Sequence, residues 1–301
     1  MGHGKYRIIT LFLAAPLTLY GVFVLSPFAQ AFYISLTSWT GFTAAQPFVG
    51  LANYRKLASD PGFWKALEHN ALLLVAVPLV TIALGLFFAS TLNVGASAGT
   101  VKGVRGAGPY QKLFFLPHIL PAVITAVLWQ FLYNPQLGPI NSALDGVGLG
   151  SLKATWLGDP AVALWSLAAI MVWTGVGFYV VLFSAAMQSI PKDIYEAADL
   201  DGSSRAQTMW RITLPLLRET VQVAWIYLGI AALDAFALFE VLLPDGGPDN
   251  STNVVAQYLY QAAFQNGEFG YASAIGVVLC LLTLLMAAAT FGLSRRETIE
   301  F

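Results

Sequence analysis

Pro191-Lys-Asp-Ile194-Tyr-Glu196-Ala-Ala198-Asp-Leu-Asp201-Gly202-Ser-Ser-Arg205 runs on through Ala206-Gln-Thr-Met209-Trp210-Arg211-Ile212-Thr213-Leu214-Pro215. This segment is polar and charged, yet with its flanks (189–219) it is enclosed on both sides by apolar runs of membrane length. Ile194, Ala197 and Ala198 recur at i, i+3, i+4, and Ala206, Met209, Trp210 and Thr213 at i, i+3, i+4, i+7. The spacing predicts two short helices, each with one apolar stripe. Gly202 fits the left-handed residue that closes the first helix, and Ser203 or Ser204 can cap the second. Pro191 suits an opening turn, whereas Pro215 interrupts the backbone ladder before the next apolar run.

Two plain readings of this hairpin are an interfacial amphipathic loop joining two spanning helices and a nucleic-acid-reading helix-turn-helix. Against the second, Arg205, Arg211 and Arg218 face the acidic Glu196, Asp199 and Asp201, so no phosphate-binding stripe forms and no nucleic-acid partner is expected.

Composition sets the solvent. Of 301 residues, 57% are hydrophobic and only 10% charged, against roughly 45–50% and 25% in soluble domains. An integral membrane protein is implied. The formal net charge is −1. The single cysteine, Cys280, lies in an apolar run, and His3, His69 and His118 are scattered, so no disulfide framework and no metal site is expected. No phosphate-binding Gly-x-x-x-x-Gly-Lys-Ser/Thr occurs either, because Gly4-Lys5 is followed by Tyr6 and lacks the upstream glycine.

A spanning helix needs about 20 apolar residues. Six runs qualify, at about 8–26, 71–92, 113–133, 161–187, 221–243 and 271–293, giving an all-α polytopic fold in one transmembrane domain. The first run lacks a clean small-x-small cleavage site and reads as an uncleaved anchor. If the N-terminus is cytoplasmic, the inner segments hold Lys5, Arg7, Lys102, Arg105, Lys112, Lys192, Arg205, Arg211, Arg218, Arg295 and Arg296, and the outer ones only Arg55, Lys56, Lys65 and Lys153. This distribution of all 15 basic residues obeys the positive-inside rule and puts the Glu196 hairpin and both termini in the cytoplasm. The Gly- and Ala-rich link 93–111 is expected to be a flexible connection, and Arg295-Arg296 a stop signal.

Inside the spans, three features stand out. Pro117 and Pro121 mark the third as a packed and kinked helix or a simple helix start, with His118 between them a satisfied residue. Gly175 and Gly177 in the fourth serve either close helix packing or a ligand. Asp234 lies in the middle of the fifth, where a carboxylate costs about 2.5–3.5 kcal/mol on insertion scales and normally faces a cavity or partner; Glu240 near its outer end reaches water.

Glu196-Ala-Ala, Asp201-Gly202 and Ile212-x-Leu214-Pro215 resemble the EAA loop of the permease subunits of binding-protein-dependent ABC importers, of the maltose and glycerol-phosphate type. The likeness extends through Trp39, the Phe48-Val-Gly-Leu-x-Asn53-Tyr54 and Asp60-Pro61-x-Phe63-Trp64 words, Leu113-Phe-Phe-Leu-Pro117 and Trp156-Leu-Gly-Asp-Pro160 to Gly270-Tyr-Ala-Ser-Ala274. Ser203 stands where the family usually has Ala, and Pro244 where it commonly has Thr. The start 1–7 and Leu233-Asp-Ala-Phe236 are similar to actinobacterial permeases for N-acetylglucosamine and chitobiose.

The resemblance implies a non-enzymatic permease with no cofactor, in a bacterial inner membrane. It implies a second homologous permease, two copies of an ABC ATPase, an extracytoplasmic solute-binding protein and an oligosaccharide or amino-sugar substrate as partners. It also implies that Glu196, Ala197, Ala198, Asp201, Gly202, Ile212, Leu214 and Pro215 couple to the ATPase, the stripe of Ile194, Ala197 and Ala198 entering its groove. Trp173, Gly175 and Phe178, just before the loop, match the sugar-lining helix, and Asp234 joins them as a pathway candidate. The alternative from the residues alone is an autonomous secondary transporter with Asp234 as its proton or cation site. A membrane enzyme lacks the convergent His/Asp/Glu cluster it needs.

Overall fold

The computed structural model describes residues 3–93 and 107–294. Most of the link 93–111 and Arg295-Arg296 lie outside the described residues. Apart from a single bridge between Thr37 and Phe48, the regular structure of the described residues is helical.

The first predicted span belongs to a longer rod made of α1 (His3–Tyr20), a widened π turn (Gly21–Leu25) and α2 (Ser26–Ser35). Its described membrane-length part is Phe12–Ser35, further along the chain than 8–26. The π turn precedes Pro27, which has no N–H for the regular ladder; the Ser26 N–H reaches back to Gly21. After α3 (Ala52–Ala58), α4 (Pro61–Asn93) begins well before the predicted Ala71. Its polar first turns hid the start: Asp60 caps the helix by accepting from the Gly62 N–H at 2.9 Å, and His69 and Asn70 are consumed inside the protein.

The predicted third span is not one straight helix. α5 (Ala107–Ile119) and α6 (Ala122–Leu132) meet at a bend of 105°, measured between Lys112–Ile119 and Ala122–Leu132, at Leu120-Pro121. Proline forces its predecessor out of the helical region, which explains the corner. A short α7 (Pro139–Gly146) leads to α8 (Ala163–Ser189), which matches the fourth span.

The hairpin segment contains α9 (Lys192–Leu200), α10 (Arg205–Thr208), a π turn (Met209–Thr213) and α11 (Leu214–Leu216). The fifth predicted span then breaks into α12 (Arg218–Leu233) and α13 (Ala237–Leu242). α14 (Val255–Tyr260) and α15 (Phe269–Ser294) complete the chain, the latter covering the sixth span. Among the described residues four helices are long and apolar enough to cross a membrane, or up to six if each bent pair counts as one span.

Contacts divide the chain into two compact units. One comprises the residues up to Trp64 together with Tyr258–Leu281. In it Asp60 accepts hydrogen bonds from Tyr258 at 2.6 Å and from Tyr271, and Lys56 pairs with Glu268 at 2.6 Å. Burial alone would raise the Asp60 carboxyl, but the two tyrosine hydroxyls and the backbone amides of Gly62 and Phe63 outweigh it and hold the group below its ordinary value.

The other unit comprises Lys65–Gln257 and the residues from Leu282 onward. Its apolar core joins Leu73 and Val77 of α4, Leu167 and Phe183 of α8, Leu228 of α12 and Phe239 of α13. α5 and α8 approach so closely that a Cβ on Gly177 would overlap the Phe114 carbonyl. Gly175 is buried, and a Cβ there would touch Thr81 and Leu228 at 3.4 and 3.9 Å. Of the two uses open to these glycines, Gly177 serves close packing, whereas at Gly175 a Cβ would make only ordinary van der Waals contacts.

Candidate functional site

Two features of the second unit carry chemistry, the hairpin 189–219 and the break in the fifth span.

In the hairpin, α9 ends in a Schellman turn. The Ser203 N–H bonds the Ala198 carbonyl at 3.0 Å, the Gly202 N–H bonds that of Asp199 at 3.1 Å, and Gly202 stands at φ +73°. Ser204, not Ser203, caps the next helix: its hydroxyl accepts from the Gln207 N–H while the Gln207 side chain accepts from the Ser204 N–H. The two helices are therefore locked together by main-chain and capping bonds.

The expected stripe is split between two faces. Tyr195 and Ala198 are buried on the chain's own core and Ile194 and Met209 pack against it, with the Tyr195 hydroxyl 3.3 Å from Thr213 Oγ1. Glu196, Ala197, Asp201, Gly202 and Pro215 are exposed, and Ile212 and Leu214 half-buried. The outward face also carries two large apolar side chains, Leu200 at 89% and Trp210 at 70% exposure. Sequence reasoning missed Leu200 as a surface residue, although its i+4 spacing from Glu196 and i+3 spacing from Ala197 put all three on one helix face.

The second feature is Asp234. α12 stops at Leu233, and Asp234, exposed, occupies its C-terminal cap before α13 resumes at Ala237. Its carboxylate makes no hydrogen bond or ion pair among the described residues. Glu240 differs: it is half-buried and accepts from Gln257 Nε2 at 2.8 Å, so it does not simply reach water as its position near the span's end implies.

The other candidates are not gathered around Asp234 by any ring contact or hydrogen bond among the described residues. Phe178 stacks on His118 with centroids 5.0 Å apart, and His118 Nδ1 lies 3.3 Å from the Thr174 carbonyl, so the histidine is satisfied as expected. Trp173 meets Trp129 edge-on at 5.4 Å. Along α6, Thr125 Oγ1 and Trp129 Nε1, one turn apart, are buried without a hydrogen-bond partner among the described residues, a feature no periodicity reveals. A crevice of about 570 Å³ opens between α4, α5 and α8, with an apolar wall that includes Val80, Phe88, Leu113, Trp165 and Trp173.

Comparison with known proteins bears on this arrangement. The family model of the binding-protein-dependent transport system inner membrane component matches residues 71–298. The diacetylchitobiose uptake system permease protein NgcF of Streptomyces coelicolor is 46% identical over 94% of this chain and 81% of its own. The multiple sugar-binding transport system permease protein MsmF of Streptococcus mutans is 32% identical over 95% and 94%. A chain of the crystal structure of a bacterial alginate ABC transporter, in complex with alginate pentasaccharide-bound periplasmic protein, superposes with a TM-score of 0.82 at 22% identity, over 97% of this chain and 96% of that one. The autonomous-transporter alternative finds no support among these relatives.

Proposed function

As the chain belongs to the family of binding-protein-dependent transport system inner membrane components and is a multi-pass permease of the carbohydrate-import type, we propose that it lines half of a sugar pathway and docks an ATPase through its Glu196 hairpin. The observation that carries this reading is the exposed face of the hairpin. A capped hairpin that buries Tyr195 and Ala198 on its own chain and still leaves Ala197 and Leu200 of α9 and Trp210 of the π turn exposed has a partner to receive them.

In this reading Leu200 and Trp210 enter a groove on the ATPase, and Glu196 beside them makes a charge-assisted hydrogen bond there. The hairpin faces the cytoplasm, as the basic residues require, along with both termini. A second, homologous permease completes the pathway, two ATPase copies drive it, and an extracytoplasmic binding protein delivers the solute. Asp234, exposed at a broken span and unpaired among the described residues, faces the pathway, because an ionisable group at membrane depth is accommodated where water or substrate meets it. Phe178 and Trp173 are the aromatic faces for sugar rings. The Trp129 N–H, on the ring that meets Trp173, and the Thr125 hydroxyl one turn away have no hydrogen-bond partner among the described residues and can serve a hydroxyl or an ordered water.

The likeness to NgcF points to N,N′-diacetylchitobiose, or a similar short amino-sugar oligomer, as the substrate. The test is copurification of the ATPase with the permease. Glu196→Lys and Leu200→Asp should each lose ATPase subunits while keeping the second permease. Full retention in both variants refutes the docking role.

A further inference from the structure

The break at Asp234 is clamped from outside its own helices. Asn70 of α4 is fully buried, at 0% exposure. Its amide Nδ2 donates to the Ala232 carbonyl at 2.7 Å and the Leu233 carbonyl at 3.4 Å, and its Oδ1 accepts from the Val255 N–H at 2.7 Å. One residue earlier, His69 Nδ1 lies 2.8 Å from the Asn253 carbonyl. On the far side of the break Gln257 Nε2 donates to the Leu243 carbonyl at 2.9 Å and to Glu240 Oε2 at 2.8 Å. Residues 232–243 are thereby held between two buried amides, Asn70 spending its N–H groups on the carbonyls that end α12 and Gln257 on the Leu243 carbonyl and the Glu240 carboxylate.

We infer that Asn70 is a positioning residue for transport: its amide keeps the fifth span broken and so holds Asp234 on the pathway. In an uninterrupted helix the carbonyls of Ala232 and Leu233 would accept from the N–H groups of Phe236 and Ala237. Asn70 supplies those donors from another helix, which frees the backbone to leave the helix at Asp234. Without it, two carbonyls at membrane depth regain partners most readily by winding the helix through 234–236, which turns the carboxylate away. The Val255 bond adds a second hold, so the segment entering α14 moves with the break. The inference rests on the reading of Asp234 as pathway-facing.

The experiment uses the full importer in membrane vesicles, with Cys280→Ser removing this chain's single native cysteine and labelling read on this chain alone after the subunits are separated. Asp234→Cys is labelled with a membrane-impermeant methanethiosulfonate reagent, and Leu137→Cys, at an exposed position, serves as the control. Asn70→Leu should slow labelling at 234 by about tenfold, the loss of one to two hydrogen bonds, and leave Leu137→Cys unchanged. Asn70→Asp retains an oxygen for Val255 but removes the donors, and should have the same effect even if Asn70→Leu does not assemble. A merely structural role would lower yield and slow neither site selectively. Equal labelling rates with Asn70 intact and replaced overturn the positioning role. No labelling at 234 with Asn70 intact overturns the pathway reading, and the inference with it.

Discussion

At φ +73°, with no atom within 4 Å of where a Cβ would stand, Gly202 is constrained by its backbone conformation and not by space. A β-branched residue resists that conformation, at a cost of roughly 1–3 kcal/mol. Gly202→Val should therefore insert normally yet lose substrate-stimulated ATP hydrolysis, whereas Gly202→Asn, which tolerates the left-handed region, should keep most of it. ATPase assays on equal amounts of inserted permease read both; normal stimulation in Gly202→Val would remove the turn from the coupling mechanism. Glu196 and Leu200 lie one turn apart on the same exposed face. In the proposed docked state, replacing the carboxylate by Lys should leave helix propensity unchanged but reverse a charge-assisted contact expected to contribute about 1.5–3 kcal/mol once desolvated, a change of roughly ten- to hundredfold in docking.

At the level of elements, the broken fifth span separates two acids that sequence position alone ranks by depth. Asp234→Ala should lower transport without lowering thermal stability, because no hydrogen bond or ion pair within the described residues is lost. Glu240→Ala leaves the Gln257 amide short of an acceptor and should cost about 1–3 kcal/mol of stability, with transport falling in step with the folded fraction. Thermal melts beside uptake assays distinguish the two patterns. In the unit formed by the residues up to Trp64 with Tyr258–Leu281, the Asp60 carboxyl, held below its ordinary value, favours folding above the usual carboxylate range. That contribution disappears as pH falls through the depressed value, so wild-type and Asp60→Ala stabilities should differ at pH 7 and converge only in strong acid.

The spans were legible because apolar length is a composition signal, and the hairpin because Gly202 and the serines are turn chemistry. The early start of α4 was not: Lys65, Glu68, His69 and Asn70 break the apolar run, and only the fold shows His69 and Asn70 spent on Asn253, Ala232 and Val255. The burial of Ala198 beside an exposed Ala197 was likewise hidden, since an apolar stripe has the same period whether it meets its own chain or a partner.

For the molecule as a whole, the hairpin and the break lie on one continuous stretch of chain. Leu217, fully buried in the core, separates the π turn and α11 from α12, and the helical segments on either side of it are bent by 70°. In the proposed coupling, motion of the docking face would pass through this bend to α12 and on to the break at Asp234, a link between ATP hydrolysis and the pathway that an autonomous transporter has no use for. Uptake of labelled N,N′-diacetylchitobiose into proteoliposomes holding the permease with its partner permease, ATPase and binding protein tests this directly. Uptake should require internal ATP, persist when a protonophore collapses the proton gradient, and vanish with Glu196→Lys; uptake driven by a proton gradient without ATP, and indifferent to Glu196→Lys, would contradict it.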